Sequence, residues 1–344
     1  MRVIVLGGTK FVGRAITERL AAAGHELMVV HRGRTEPADL PPVRHLHCDR
    51  TELPRHADEI SAFEPDAAVD VQGMNGMDAA AALAVLPPKI PTVAISSVDV
   101  YRAYEGLNAG RQTDPLPLTE QSALRTTRFV AGPGYENLEV EEAYAARGAT
   151  LLRLGMVYGP HDDQRRFEPI LRRVRAGRAM IPIGTGAFLF SKVFVGDVAR
   201  AVELALHSKQ ARGEAFNLVE TKTSGFWLLT RAVLRTAGAG AVELVEVPDT
   251  VLPPDLALSG SMRQDLLADS TKARTMLGWE HTNPERAIAE TVAWDLANPP
   301  EPDDDFTADD RALAEAAAAA RTTTDATTDA GADATTDAGA DRDV

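Results

Sequence analysis

The sequence predicts an α/β fold, a doubly wound parallel sheet with a smaller mixed region toward the C-terminus. Three observations carry that prediction. The chain opens on a short apolar run, Arg2-Val-Ile-Val-Leu6, that enters a glycine turn and then a helical pattern. Apolar strand-like runs then alternate with helical patterns, the order that places helices on both faces of a parallel sheet. After Gly155 the runs shorten and turns multiply, so a second and smaller region begins there.

The first connection is the most informative. Gly7, Gly8, Thr9, Lys10, Phe11, Val12 and Gly13 join the first strand to a helix that carries Ile16, Leu20 and Ala21–Ala23 on its inner face. Glycines at such a turn let backbone N–H groups approach a pyrophosphate, and the helix N-terminus favours its charge. These seven residues are therefore candidate dinucleotide ligands. Lys10 stands where the middle glycine of a GxxGxxG turn belongs, and a turn without a ligand is the alternative. A second strand over 26–30 arrives at the spacing of a βαβ unit. Further strands are expected at 43–47, 67–71, 91–96 and 150–154, with a helix over 136–147 before the last. Beyond Gly155 the pattern predicts a basic amphipathic helix over 165–177 and a small strand and turn at 181–186. A strand at 190–194, a helix over 196–207 and strands at 215–219 and 242–247 follow. The expected domains are a Rossmann-type dinucleotide-binding domain at 1–160, with added segments near 190–219, and an interleaved substrate-binding region at 161–298.

Residues 299–344 read differently. The chain of 344 residues has a formal net charge of −14. Residues 301–344 hold 13 Asp and Glu against 3 Arg, a net of −10, which leaves −4 for the rest. Asp325-Ala-Thr-Thr-Asp-Ala-Gly-Ala repeats from Asp333, and no aromatic follows Phe306. A segment so charged and so poor in apolar residues is expected to be disordered, with Ala312–Ala320 extending a short helix before it. No basic face suggests nucleic acid as a partner, and no run approaches the roughly 20 apolar residues of a membrane span. Cys48 is the single cysteine and the first residues lack the regions of a signal peptide, so a reducing cytoplasm is the expected compartment.

Five stretches, in order, resemble the extended and atypical short-chain dehydrogenases/reductases of the NAD-dependent epimerase/dehydratase family. They are the glycine turn, Ile95-Ser-Ser-Val-Asp-Val-Tyr101, Leu152-Arg-Leu-Gly-Met-Val-Tyr158-Gly-Pro160, Val193-Phe-Val-Gly-Asp197-Val-Ala, and Asp269-Ser-Thr-Lys-Ala-Arg-Thr-Met-Leu-Gly278-Trp279. The resemblance spans roughly residues 1–298. It implies hydride transfer between a nicotinamide and a sugar nucleotide or another hydroxylated or carbonyl metabolite. It also implies a dimer contact through helices 79–86 and 136–147, so a homodimer is a candidate assembly. The second strand ends in Val30-His31-Arg32-Gly33-Arg34, with no carboxylate until Glu36. A carboxylate there would take the ribose 2′-OH of NAD, whereas Arg32 and Arg34 suit a 2′-phosphate. NADP(H) is the expected cofactor and NAD the alternative. By the family pattern Asp49 approaches the adenine, and Gln72 and Gly73 line the nicotinamide side.

The family's catalytic pattern is only partly present. Its acid/base tyrosine is followed four residues later by a lysine. Here Tyr101, Tyr104, Tyr135, Tyr144 and Tyr158 are followed by Glu105, Asn108, Glu139, Gly148 and Asp162. Tyr135 is the expected tyrosine, since it opens the helix before the sixth strand, and a carboxylate at 139 raises a phenol's pKa. Ser97 matches the hydroxyl that bonds the reacting oxygen. Asp99 falls where dehydratases of the family place an acid, and burial there suits proton transfer. The catalytic candidates are Ser97, Tyr135 and Asp99. A silent dinucleotide-binding sensor is the competing function, because no Tyr-x-x-x-Lys is present. His161-Asp162-Asp163 resembles the family's stretch over the substrate. Arg165, Arg166, Arg172, Arg173 and Arg175 stand where relatives hold a nucleotide diphosphate, an exposed basic face being the alternative. His45, His47, Cys48 and Asp49 are metal-ligand types, but alternation along a strand sets Cys48 on the face opposite His45 and His47, no second cluster follows, and no metal is expected.

Overall fold

Continuous apolar runs become strands covered on both faces. Val3, Ile4 and Val5 have no exposed surface and Leu6 almost none, as a strand between two helical layers requires. The computed structural model of the protein describes residues 1–132 and 134–333, with side chains as far as Arg321. In chain order the first elements are β1 (Arg2–Leu6), α1 (Phe11–Ala22), β2 (Glu26–His31), β3 (Arg44–His47), α2 (Ala57–Phe63), β4 (Ala67–Asp70) and α3 (Gly76–Val85). Next come β5 (Thr92–Ser97), α4 (Arg102–Asn108), α5 (Asn137–Ala145), β6 (Thr150–Leu154), β7 (Met156–Tyr158), α6 (Glu168–Arg175) and β8 (Met180–Ile183). The remainder are β9 (Lys192–Phe194), α7 (Val195–His207), β10 (Ala215–Leu218), α8 (Phe226–Thr236), β11 (Glu243–Glu246), α9 (Thr271–Leu277), α10 (Pro284–Ala297) and α11 (Thr307–Asp333). No helix among the described residues is long and apolar enough to cross a membrane.

Seven strands form one parallel sheet in the order β10-β6-β5-β4-β1-β2-β3. β1 is the switch point, with Val5 opposite Val29 of β2 on one side and Val69 of β4 on the other. Ligands of such sheets bind outside the carboxyl ends of the strands at the switch point, and the Gly7 turn sits there. α1 packs through Ile16 and Leu20, but Ala22 and Ala23 are exposed, because the helix ends at Ala22.

The chain divides into two units. The first comprises residues 1–168, 189–225 and 262–298; the second takes 169–188, 226–261 and the chain from 299. Residues 262–298 therefore leave the region where the sequence places them. Trp279 is fully buried and its indole N–H donates to the Asp197 carbonyl at 2.9 Å. The Asp197 carboxylate accepts from the Thr282 backbone N–H at 2.8 Å and its hydroxyl at 2.6 Å. These bonds tie the start of α7 to a segment some 80 residues away, a separation that local patterning does not register.

In the second unit β8 and β11 pair in parallel, with Ile181 opposite Leu244. The acidic C-terminal segment is ordered at its start, contrary to the expectation of disorder from 299. α11 begins at Thr307, whose N–H donates to Asp305 at 2.9 Å, and Ala312 is fully buried. Arg173 donates through Nε and Nη2 to the two Asp309 oxygens at 2.7 Å each, and neither side chain is exposed. The Phe306 ring lies under the Arg172 and Arg178 guanidinium groups. The second copy of the repeat, from Ala334 on, lies outside the described residues.

Candidate active site

The glycine turn is built by exclusion of side chains. A Cβ at Gly13 would collide with the Gly7 carbonyl, and one at Gly8 would stand 2.5 Å from Thr17 Oγ1. Gly7 has φ +89°, and a Cβ there would meet Gln72 Cγ at 2.5 Å. Helix, strand and turn thus approach more closely than any other residue allows, and the backbone at the start of α1 stays open to a ligand. Thr9 is buried, with its hydroxyl 3.3 Å from that of Thr35. Lys10 is exposed at the N-cap of α1 and makes no side-chain cap bond.

Two depressions flank this turn. One, of about 420 Å³, is lined by Gly7, Arg32, Asp49, Arg50 and Gln72 among others. The other, of about 510 Å³, is lined by Thr9, Lys10, Phe11, Arg34 and His161 among others. Arg32 and Arg34 are exposed and make no hydrogen bond or ion pair with any described residue. Asp49 caps the turn that follows β3, accepting from the Thr51 N–H at 3.1 Å and its hydroxyl at 2.9 Å. Those bonds, with a smaller contribution from Arg32 and Arg34, hold its carboxyl below the usual range. Gly73 is buried at the end of β4, where the Gln72 N–H donates to Asp70 at 3.1 Å. The buried Asp70 also takes Arg50 and the Tyr144 hydroxyl. Sequence reasoning missed Arg50, which carries no motif and is recruited through the sheet from 20 residues away.

Ser97, Asp99 and Tyr135 come together. β5 ends at Ser97, whose Oγ caps the short turn of residues 98–100 by accepting from the Asp99 N–H at 3.2 Å. Asp99 is 7% exposed. Asn137, the first residue of α5, donates through Nδ2 to both Asp99 oxygens at 3.1 Å and to the Tyr135 hydroxyl at 2.7 Å. Burial raises the Asp99 carboxyl above its ordinary value against the pull of Asn137 and Arg125. Burial, and then the Asp99 charge, push the Tyr135 phenol upward. Asn137 was also missed, although it lies two residues from Tyr135, because its role needs the β5 turn opposite it. Arg125 fixes the other side, donating to the buried Glu136 at 2.6 and 2.8 Å and to the Asp99 carbonyl at 2.8 Å.

Two expectations at this site need correction. Tyr135 precedes α5 by two residues, with Glu136 as the cap. Glu139 accepts from the Gly76 N–H at 3.0 Å, so the rise at Tyr135 comes from burial and Asp99 instead. Tyr101 is locked in the core between Asn217 and Arg153.

The five arginines are mostly paired within the protein. Arg165 approaches Asp295 at 3.5 Å and lies over the Trp294 ring, and Arg166 binds Asp162 at 2.7 Å. Arg172 and Arg173 take Asp255 and acidic groups near the start of α11, and Arg175 also has a partner. His161 packs against Trp294, and Asp162 caps its own loop through the Gln164 N–H at 3.0 Å. Cys48, one residue past β3, packs in the core with Leu46 and stands apart from His45 and His47, but His31 and Glu36 join the two histidines from outside the strand.

The model of the NAD dependent epimerase/dehydratase family matches residues 3–85 and 93–218. A UDP-glucose 4-epimerase of Mycolicibacterium smegmatis is 28% identical over 336 residues, 85% of this chain and 96% of that protein. A 2′-dehydrokanamycin reductase of Streptomyces kanamyceticus is 31% identical over 63% of this chain and 61% of that protein. A chloroplast stem-loop binding protein of 41 kDa from Arabidopsis thaliana is 26% identical over 81% and 75%. Among solved structures, a dTDP-glucose 4,6-dehydratase of Bacillus anthracis in complex with NAD superimposes with a TM-score of 0.69 at 15% identity, covering 87% of this chain and 97% of that one.

Proposed function

The chain belongs to the NAD dependent epimerase/dehydratase family, and from that premise we propose that it is a nicotinamide-dependent oxidoreductase. Its substrate is a sugar nucleotide or another hydroxylated or carbonyl metabolite. The observation that carries the reading is the meeting of Asp99 and Tyr135 at Asn137, with Ser97 on the Asp99 N–H. The glycine turn fits a dinucleotide, since Gly7, Gly8 and Gly13 leave no room for a Cβ. When bound, the nicotinamide supplies hydride exchange at a carbinol carbon. Ser97 offers its hydroxyl proton to the reacting oxygen. Tyr135, held protonated by burial and by Asp99, donates its proton as negative charge develops there. Asp99, buried beside Tyr135, relays the replacement proton to it from solvent, and Asn137 holds the two together.

The choice of dinucleotide turns on two unpaired guanidinium groups. Arg32 and Arg34 favour NADP(H), since the carboxylate that follows β2, Glu36, is drawn onto His47. NAD is the alternative, favoured by relatives whose structures hold it. A silent sensor is a second reading, favoured by the absent lysine and by Glu139 turned to Gly76. Its opposite number among the relatives, stem-loop binding, is disfavoured by the chain's charge of −14. The test is turnover with NADPH and NADH across carbonyl and sugar-nucleotide substrates. Enzyme function predicts losses in kcat of roughly 100-fold or more for Tyr135→Phe and Asp99→Asn, with cofactor affinity retained. Cofactor binding without turnover of any substrate would leave the sensor reading.

A further inference from the structure

β2 and β3 are parallel, and His31 is the register partner of His47. Side chains alternate along a strand, so His45 and His47 share a face, and the register sets His31 beside them on it. The segment that leaves β2 then returns Glu36 over the three rings. His31 Nε2 is 2.8 Å from His45 Nδ1 and 3.4 Å from Glu36 Oε1. Glu36 Oε1 is 4.0 Å from His45 Nδ1 and in direct contact with His47 Nε2. One ligand atom from each of the four residues lies within 4.8 Å of all the others.

We propose that His31, Glu36, His45 and His47 form a binding site for a divalent transition metal of the zinc class. Zinc bonded to nitrogen and oxygen at about 2.0–2.1 Å in a tetrahedron places its ligand atoms roughly 3.3 Å apart. The observed separations bracket that value, so assembly needs shifts of side chains and not of strands. Three imidazoles with one carboxylate suit zinc, cobalt, nickel or copper, and are a poor set for magnesium or calcium, which take oxygen. His31 is buried and the other three reach the surface, which gives the ion an entry path.

On loading, the His31 ring moves its proton from Nε2 to Nδ1, and the His47 ring moves the Nε2 proton it now shares with Glu36 to its own Nδ1, so both rings stay neutral and offer Nε2 to the ion. Gly33 N–H now donates to His31 Nδ1 at 3.2 Å, so loading releases this bond and turns the Gly33 peptide. The ion replaces it with a tie from the sheet edge to Glu36, across the segment that bears Arg32 and Arg34.

The test uses the full chain without a histidine tag, titrated with cobalt(II) and then with zinc against a chromophoric chelator. The site predicts one equivalent of cobalt with the intense visible bands of tetrahedral coordination, displaced by zinc and not by magnesium. His45→Ala/His47→Ala is expected to weaken zinc binding by more than about 100-fold, and Glu36→Gln, on an exposed loop, by about 10-fold with the fold intact. His56→Ala, outside the cluster, is expected to bind as the parent does. Absence of stoichiometric binding by the parent chain overturns the proposal, and so does binding that survives both cluster variants.

Discussion

Asp309→Ala tests whether the acidic C-terminal segment is part of the fold. The substitution removes two bonds of 2.7 Å from a guanidinium with no exposed surface. Severing a buried pair costs about 3–5 kcal/mol, because one charge remains buried without its partner. Arg173 keeps Asp255, at 2.8 and 3.0 Å, on a side chain that is 31% exposed. The remaining carboxylate places the expected cost at the low end, about 3 kcal/mol. That is roughly 100-fold in the opening equilibrium of this contact. Hydrogen exchange read by mass spectrometry reports it directly. Amides of α11 near Ala312 and of β8 are expected to lose protection by about that factor, while β1, β4 and β5 keep theirs. Exchange at unfolded-chain rates around Ala312 in the parent protein would refute the reasoning, as would an Asp309→Ala profile identical to the parent.

Further outcomes follow from the same geometry. Gly13→Ala drives a Cβ into the Gly7 carbonyl, and is expected to lower stability by about 3 kcal/mol in urea unfolding and to abolish dinucleotide binding. Asp295 has its pKa pushed up to about 6 by burial, which outweighs the attraction of Arg165. Its folded pKa exceeds the unfolded value of about 3.9, so its contribution is complete below that pH and is lost as pH rises through 6. The stability of the parent relative to Asp295→Asn should fall on the order of 2 kcal/mol between about pH 4 and pH 7. A difference that stays flat with pH in denaturant midpoints would count against the buried charge.

Local signals served the fold well and the site only in part. β1, its glycine turn and the strands through β6 each announce themselves in a few adjacent residues, because burial on both faces demands continuous apolar runs. Their ends shift by a residue or two, as with β3, which starts at Arg44, and α3, which starts at Gly76 behind its Asn75 cap. The family pattern names Ser97, Asp99 and Tyr135, and the fold brings them near one another. Asn137 and Arg125 were not, since their roles exist only once the turn after β5 faces the start of α5. The arginines of α6 misled for a related reason. The basic helix reads as a phosphate site or an exposed face and the acidic tail as a disordered appendage, and only the fold shows that Arg173 and Asp309 neutralise one another. His45 and His47 were read along one strand, whereas the cluster needs the register with β2.

The account rests on a dinucleotide at the glycine turn with its ribose end near Arg32 and Arg34. A titration of NADPH, NADP⁺, NADH and NAD⁺, by nicotinamide fluorescence and calorimetry, tests it most directly, with Arg32→Ala/Arg34→Ala alongside. The account predicts tight binding of NADPH that weakens in the variant, while any binding of NADH is little changed. Failure of all four nucleotides to bind the parent protein would contradict it.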